Sequence, residues 1–158
     1  MSDRAVTDLD ASVRLTILND FLDGRAPSVA SVARDLGLGD NDIAAAFDRL
    51  AAGRAIVLEP SSRDILMAAP LAGVPTDFSV RLGDRSVYAN CIWDAVGVPA
   101  MLAGAGRPMD ATIATRCADC AAPLGLEVRD GRLTSADPDA VVHFAVPAAR
   151  WWADIVFT

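Results

Sequence analysis

Cys91 and Asp94 are the two residues of this sequence whose types and spacing point most directly to chemistry. On a helix, a separation of three positions puts both side chains on one face, with their Cβ atoms about 5–6 Å apart. Asn90 is the predicted N-cap residue of that helix, which places Cys91 in its first turn. Free backbone amides and the helix dipole at this end favour the thiolate form of a cysteine. The pair therefore predicts a soft-metal ligand or nucleophile next to a proton donor.

The same two residues also have ordinary structural explanations. A cysteine in an apolar helix is most often a small buried hydrophobe, and an aspartate on a helix is most often a surface or capping residue. Asp94, however, lies inside an otherwise apolar segment, where burial of an unpaired carboxylate is costly. This position favours a functional pair. Pro99 is predicted to end or kink the helix.

Cys117 and Cys120 form a second candidate group, with the CxxC spacing of a metal-binding or redox motif. A zinc site would need Cys91 and His143 as further ligands. A redox CxxC normally opens a helix after a strand, whereas this one precedes Pro123. A tight turn with incidental thiols is the commonest explanation, and a lone histidine in an apolar segment is more often structural than a ligand. We retain Cys91, Cys117 and Cys120 as candidate soft-metal ligands.

Length and composition limit the classes of protein that fit. The chain has 158 residues, of which 53% are hydrophobic, and a net charge of −7. This charge disfavours nucleic acid and anionic membranes as partners. No apolar run approaches the roughly 20 residues of a membrane span, and the polar N-terminus lacks a signal-peptide pattern. We expect a cytoplasmic protein with reduced thiols.

The first 68 residues are predicted to form three helices followed by a hairpin, which is the order of a winged helix. Ser28 is the predicted N-cap of the second helix and Gly37 its end. The third helix would read DNA in such a fold, but it is acidic, so we expect no DNA binding. The predicted elements are a helix over residues 12–22, helices capped by Ser28 and Asp40, and strands over residues 55–58 and 65–68.

The second part of the chain changes to strand patterning. Residues 69–75 are rich in turn formers and are predicted to be a linker. Residues 76–158 are predicted to form a mixed β-sheet with the Cys91 helix packed against it, so the fold class is α+β. Further strands are predicted over residues 78–82, 86–89, 109–115, 124–128, 133–135 and 141–146, and residues 150–157 as a helix or a strand.

The segment Tyr88-Ala-Asn-Cys-Ile-Trp-Asp-Ala-Val-Gly-Val-Pro-Ala100 resembles the active-site helix of the organomercurial (alkylmercury) lyases. The similarity continues upstream through Val74-Pro75-Thr76 and residues 78–85. Downstream it includes Cys117-x-x-x-x-Ala-Pro123 and Val146-Pro147. With the N-terminal helices, which resemble the family's winged helix of non-DNA role, it covers most of the chain.

The resemblance implies protonolysis of a carbon–mercury bond, which gives a hydrocarbon and Hg(II). Cys91 and Asp94 match the family's first catalytic cysteine and its catalytic aspartate, and Cys117 matches a structural cysteine. The second catalytic cysteine has no match in these residues, and we expect it at Thr158 or immediately after. The apolar end of the sequence likewise predicts that a further segment follows.

The implied requirements are an organomercurial substrate, which itself brings the mercury, and a small thiol as co-substrate, with no resident cofactor. Two alternatives stay open: a non-catalytic Hg(II) or Cu(I) binding protein of the same fold, and a lyase-like domain with another substrate. Trp93, Trp151 and Trp152 are most simply core residues, and a role in an apolar substrate pocket is the less common explanation.

Overall fold

A computed structural model describes residues 8–144 and 146–155 of the chain. These residues form helices and one β-sheet, so the predicted α+β class is confirmed. The helices are α1 (Asp8–Leu22), α2 (Val29–Leu36), α3 (Asp40–Ala52) and α4 (Ile92–Gly104), followed by a 3₁₀ helix (Ala148–Ala153). The strands are β1 (Val57–Leu58), β2 (Ile65–Ala68), β3 (Leu71–Ala72), β4 (Ser79–Leu82), β5 (Arg85–Ala89), β6 (Ala111–Arg116), β7 (Pro123–Arg129) and β8 (Arg132–Ser135).

The N-terminal helices begin and end largely at the predicted signals. Ser28 caps α2 in a capping box with Ser31, and Gly37 ends the helix with a left-handed φ of 66°. Asp40, the predicted N-cap of α3, is instead its first helical residue, because the extended backbone of Gly39 occupies the cap position. The acidic side chain therefore lies in the first turn, where its negative charge interacts favourably with the helix dipole.

The eight strands form a single sheet in the order β1-β2-β3-β5-β4-β6-β7-β8. Every strand pairing among the described residues is antiparallel, so the predicted mixed sheet is wrong. The physical reason lies in the connections. Most are short hairpins, and the one helical crossover, α4, runs from β5 over β4 to β6, so the two strands it joins are not neighbours. This crossover lays α4 against the sheet.

The predicted linker at residues 69–75 contains strand β3, which is a correction to the sequence reading. Leu71 and Ala72 are both buried and pair with β2 on one side and β5 on the other. Consequently the β1–β2 hairpin belongs to the same sheet as the C-terminal strands. The winged-helix assignment and the boundary between two units stay predictions.

Gly73 marks a close approach between two backbones directly after β3. A Cβ atom at this position would lie 1.9 Å from the Ile65 carbonyl oxygen and 3.0 Å from the Phe21 ring. Only glycine fits here without a backbone shift. The turn thus holds α1 against the end of the sheet near β2.

The chain after β8 departs most from its predicted elements. Residues 141–146 were predicted to be a strand, but residues 141–144 and 146 have no regular secondary structure, and residue 145 lies outside the described residues. Val142, Phe144 and Val146 line a cavity instead of entering a hydrogen-bonded ladder, whereas Val141 is exposed. The predicted element at residues 150–157 is the 3₁₀ helix, and residues 156–158 are not described. Among the described residues, no helix has the length and apolar character of a membrane span.

Candidate active site

The N-terminus of α4 is capped by Cys91, not by the predicted Asn90. Cys91 has extended backbone angles (φ −151°, ψ 176°), and its Sγ accepts a hydrogen bond from the Asp94 backbone N–H at 3.3 Å. The sulfur occupies the place of the usual capping oxygen and satisfies one of the free N–H groups of the first turn. The helix therefore holds the Cys91 sulfur directly beside the residue predicted to be its partner.

Asn90 binds the Asp94 side chain. Its Nδ2 donates a hydrogen bond to Asp94 Oδ2 at 3.1 Å. Asn90 Oδ1 is buried and has no hydrogen-bond partner within the part of the chain that the structure describes. The sequence reading missed this contact, because it treated Asn90 only as a cap.

Burial raises the pKa of the Asp94 carboxyl, while hydrogen bonds from Asn90 and Cys91 partly offset that rise. Burial also raises the pKa of the Cys91 thiol, and the negative charge of Asp94 adds to this rise. The predicted lowering of the Cys91 pKa is therefore wrong. Backbone N–H bonds from Asp94 and Trp93 do act in the predicted direction, but desolvation is the larger effect. Both groups keep their protons to higher pH than free side chains.

Cys91, Asp94 and Asn90 face a cavity of about 560 Å³. Its walls come from four stretches of the chain: the segment around β1 and β2, Phe78 directly before β4, the start of α4, and the residues after β8. Most of the lining is apolar. The lining residues are Arg54, Ala55, Ile56, Val57, Met67, Ala69, Phe78, Asn90, Cys91, Ile92, Asp94, Val142, His143, Phe144, Val146, Trp151, Trp152 and Ile155.

Aromatic side chains from the C-terminal segment cover one side of the cavity. The rings of Phe144 and Trp151 lie with their centroids 5.2 Å apart. Trp151 Nε1 donates a hydrogen bond to the Val146 carbonyl at 2.9 Å, which ties the 3₁₀ helix to the preceding segment. Trp151 and Trp152 line the cavity, whereas Trp93 is 68% exposed. The prediction that all three tryptophans are core residues is therefore wrong.

Arg54 approaches the cavity from the turn after α3. Its guanidinium carbon lies 5.3 Å from the centroid of a Trp152 ring, within the range of a cation–π contact. The backbone of Arg54 has a left-handed φ of 62°, a conformation that favours glycine. His143, which the sequence analysis weighed only as a possible zinc ligand, also lines the cavity. No local signal in the sequence identified Arg54, because its place in the cavity wall depends on tertiary structure.

The three candidate metal ligands do not lie together in the structure. Cys117 and Cys120 lie in the turn between β6 and β7, and neither lines the cavity that contains Cys91. Among the described residues, no group of three or more His, Cys, Asp or Glu side chains could hold a metal ion. The predicted common site of Cys91, Cys117 and Cys120 is therefore absent from that part of the chain.

The geometry and the sequence agree with one known family. The sequence model of the alkylmercury lyases (MerB) matches residues 71–158, which is more than half of the chain. The chain belongs to the alkylmercury lyase family. A solved structure, described as the mercury-bound form of MerB2, is similar to this chain, with a TM-score of 0.68 and 26% sequence identity. The similarity covers 85% of this chain and 63% of that one, so this chain spans less than two thirds of its relative. No curated protein matched the sequence.

Proposed function

We propose that this protein cleaves the carbon–mercury bond of organomercurials by protonolysis. The observation that carries the proposal is the placement of the Cys91 sulfur and the Asp94 carboxyl on one turn of α4, facing an apolar cavity. Membership of the alkylmercury lyase family supports the same reaction. Cys91 would bind the mercury of the substrate, and Asp94 would deliver the proton.

The reaction follows from the chemistry of the two side chains. Mercury is a soft metal, so a thiolate is its preferred protein ligand. Cys91 binds the R–Hg⁺ group, and its thiol proton passes to Asp94. The carboxylic acid then protonates the carbon as the Hg–C bond breaks. The bonding electron pair leaves with the carbon and forms the C–H bond of the hydrocarbon, while Hg(II) stays on sulfur without a change of oxidation state.

The burial of Asp94 supports its role as the acid. Because burial raises the carboxyl pKa, the Asp94 carboxylate is a better acceptor for the Cys91 thiol proton than a free aspartate and holds that proton until the carbon takes it. Cys91 needs no permanently charged thiolate in this scheme, since mercury displaces the thiol proton on binding. The raised pKa of the Cys91 thiol is therefore compatible with the reaction.

A second thiolate completes the mercury coordination, and in the proposal it comes from a small-molecule thiol. Such a reaction needs a thiol-rich, reducing compartment such as the cytoplasm. The apolar lining favours uncharged alkyl and aryl groups on mercury, because burial of these groups is favourable.

The experiment compares cleavage and binding in three forms of the full chain. Phenylmercury is supplied with excess thiol, and benzene release is measured. Cys91→Ser should abolish both binding in the cavity and release. Asp94→Asn should bind phenylmercury but release benzene slower by about 10²–10⁴-fold, the usual contribution of general acid catalysis.

Two further outcomes decide between the proposal and its alternatives. Mercury binding through Cys91 without benzene release from the unmodified protein would leave a soft-metal binding protein. Equal benzene release by the Asp94→Asn variant would remove Asp94 from the mechanism. Cys117→Ser is the matched control, because this cysteine lies outside the cavity and its loss should leave release unchanged.

A further inference from the structure

The turn between β6 and β7 brings two thiols together outside the cavity. Arg116 and Pro123 are the last paired residues of these strands. Between them, the Cys117 backbone N–H donates to the Ala122 carbonyl at 2.8 Å, and the Ala121 N–H donates to the Cys117 carbonyl at 2.9 Å. The turn is thus closed at its base by backbone hydrogen bonds and continues the longest strand pairing of the sheet.

The backbone conformation of this turn is unusual for its sequence. Ala121 has a left-handed φ of 58°, which costs a non-glycine residue about 1–2 kcal/mol. This conformation belongs to the chain reversal between β6 and β7. The backbone N–H groups of Cys120 and Asp119 and the Cys120 side chain act on the Cys117 thiol in the direction that lowers its pKa. Cys120 itself is exposed.

We propose that Cys117 and Cys120 form a two-thiolate binding site for Hg(II), distinct from the cavity of Cys91. Both cysteines lie in the one turn that the hydrogen bond from the Ala121 N–H to the Cys117 carbonyl closes, three positions apart, and Cys120 is exposed to solvent. No third ligand accompanies them in the described part of the chain. A tetrahedral zinc site is therefore incomplete here, whereas Hg(II) is satisfied by two thiolates.

Binding at this site is a ligand exchange that needs no oxidant. One Hg(II) ion forms two Hg–S bonds and gives up two of the chloride or small-thiol ligands that it carried, and each protein thiol that is still protonated releases its proton to water or to the departing thiolate. Hg(II) is also the inorganic product of the proposed cleavage, so the site would accept that product after it leaves the cavity. This last role rests on the proposed function, whereas binding of Hg(II) does not.

The test removes the cavity ligand and keeps the turn. The full chain with Cys91→Ser is titrated with mercuric chloride in the presence of a competing monothiol. Native mass spectrometry gives the stoichiometry, and the ultraviolet thiolate-to-mercury absorption gives the affinity. We expect one Hg(II) per chain. A further Cys117→Ser or Cys120→Ser substitution should weaken binding by about 10²–10⁴-fold, because the second sulfur is then no longer held close by the chain.

A reagent that binds two neighbouring thiols tests independently whether the two cysteines are close together. Phenylarsine oxide should add once to the Cys91→Ser protein with loss of one water, since arsenic(III) takes both sulfurs. It should not form this adduct with either doubly substituted variant. Circular dichroism of each variant checks that the fold is intact.

Three results would overturn the proposed site: no Hg(II) bound by the Cys91→Ser protein, equal affinity after loss of one turn cysteine, or no dithiol adduct. The proposed function fails separately. If the unmodified protein releases no hydrocarbon while Cys91→Ser still binds one Hg(II), the turn site stands and the lyase proposal falls.

Discussion

Asn90 and Asp94 are joined by a hydrogen bond of 3.1 Å from the side-chain amide to the carboxylate, across the first turn of α4. An amide carries donors on nitrogen and acceptor sites on oxygen. Asn90 can therefore donate to the carboxylate and, after rotation of its amide group, accept from the protonated acid. Its second polar atom, Oδ1, is buried and unpaired among the described residues, so it remains free for such an exchange. Asn90 thus positions the Asp94 side chain in either protonation state.

Replacement of Asn90 should separate cleavage from binding. Asn90→Leu keeps a similar volume but removes the hydrogen bond to Asp94. A hydrogen bond to a charged group contributes about 1.5–3 kcal/mol, so benzene release in a single turnover should slow by about ten- to a hundredfold. Phenylmercury affinity should stay unchanged, because Cys91 is intact. Asn90→Gln, which keeps an amide, should recover part of the rate. A parallel loss of affinity and rate in Asn90→Leu would assign the amide to cavity shape instead.

The reactivity of Cys91 should follow its burial. Because burial and the charge of Asp94 raise the thiol pKa, alkylation at pH 7 should be slower than that of a free cysteine. The rate should continue to rise above pH of about 8.5, the ordinary cysteine pKa. Asp94→Asn removes the charge and should shift the profile to lower pH. Iodoacetamide rates are measured with Cys117 and Cys120 replaced by serine. A profile that inflects below the free-cysteine value would show that the helix amides outweigh burial.

Two substitutions of Arg54 should separate its effect on the stability of the fold from its effect on substrate binding. Its left-handed backbone favours glycine, so Arg54→Gly should be more stable to urea than Arg54→Ala by about 1 kcal/mol. Both variants lose the guanidinium that contacts Trp152. The Michaelis constant for phenylmercury should therefore rise by a similar factor in both, because this wall of the cavity is less well held. A Michaelis constant that tracks stability instead would show that Arg54 acts only on the fold.

The sequence predicted the placement of Cys91 and Asp94 better than that of the residues around them. The spacing of Cys91 and Asp94 placed both on one helical turn, because helical geometry is local. The cap assignment was wrong by one residue, since both Asn90 and Cys91 have side chains that can accept from the first turn and only the structure decides between them. The direction of the Cys91 pKa was also wrong, because burial is a tertiary property.

The cavity walls were the part that residue patterns could not predict. The apolar segment at residues 141–146 has the composition of a buried strand, yet Val142, Phe144 and Val146 line a cavity, and Val142 and Phe144 stay partly exposed. An apolar pattern predicts burial, but not whether the side chains meet a neighbouring strand or an open cavity. Arg54 and His143 reach the site from opposite ends of the sequence, and only the packed sheet brings them together.

The walls of the cavity come from two parts of the chain, and only one of these parts lies within the family match. The family match begins at residue 71, while one wall of the cavity comes from Arg54, Ile56 and Met67. The residues proposed for bond cleavage thus lie in one part of the sequence. The residues that would form the wall around the organic group on that side lie in another. In the proposed reaction, substitutions before residue 71 would change which alkyl or aryl group fits without altering Cys91 or Asp94. A chimaera in which only the stretch before residue 71 comes from a relative should keep the proposed reaction but accept a different range of substrates.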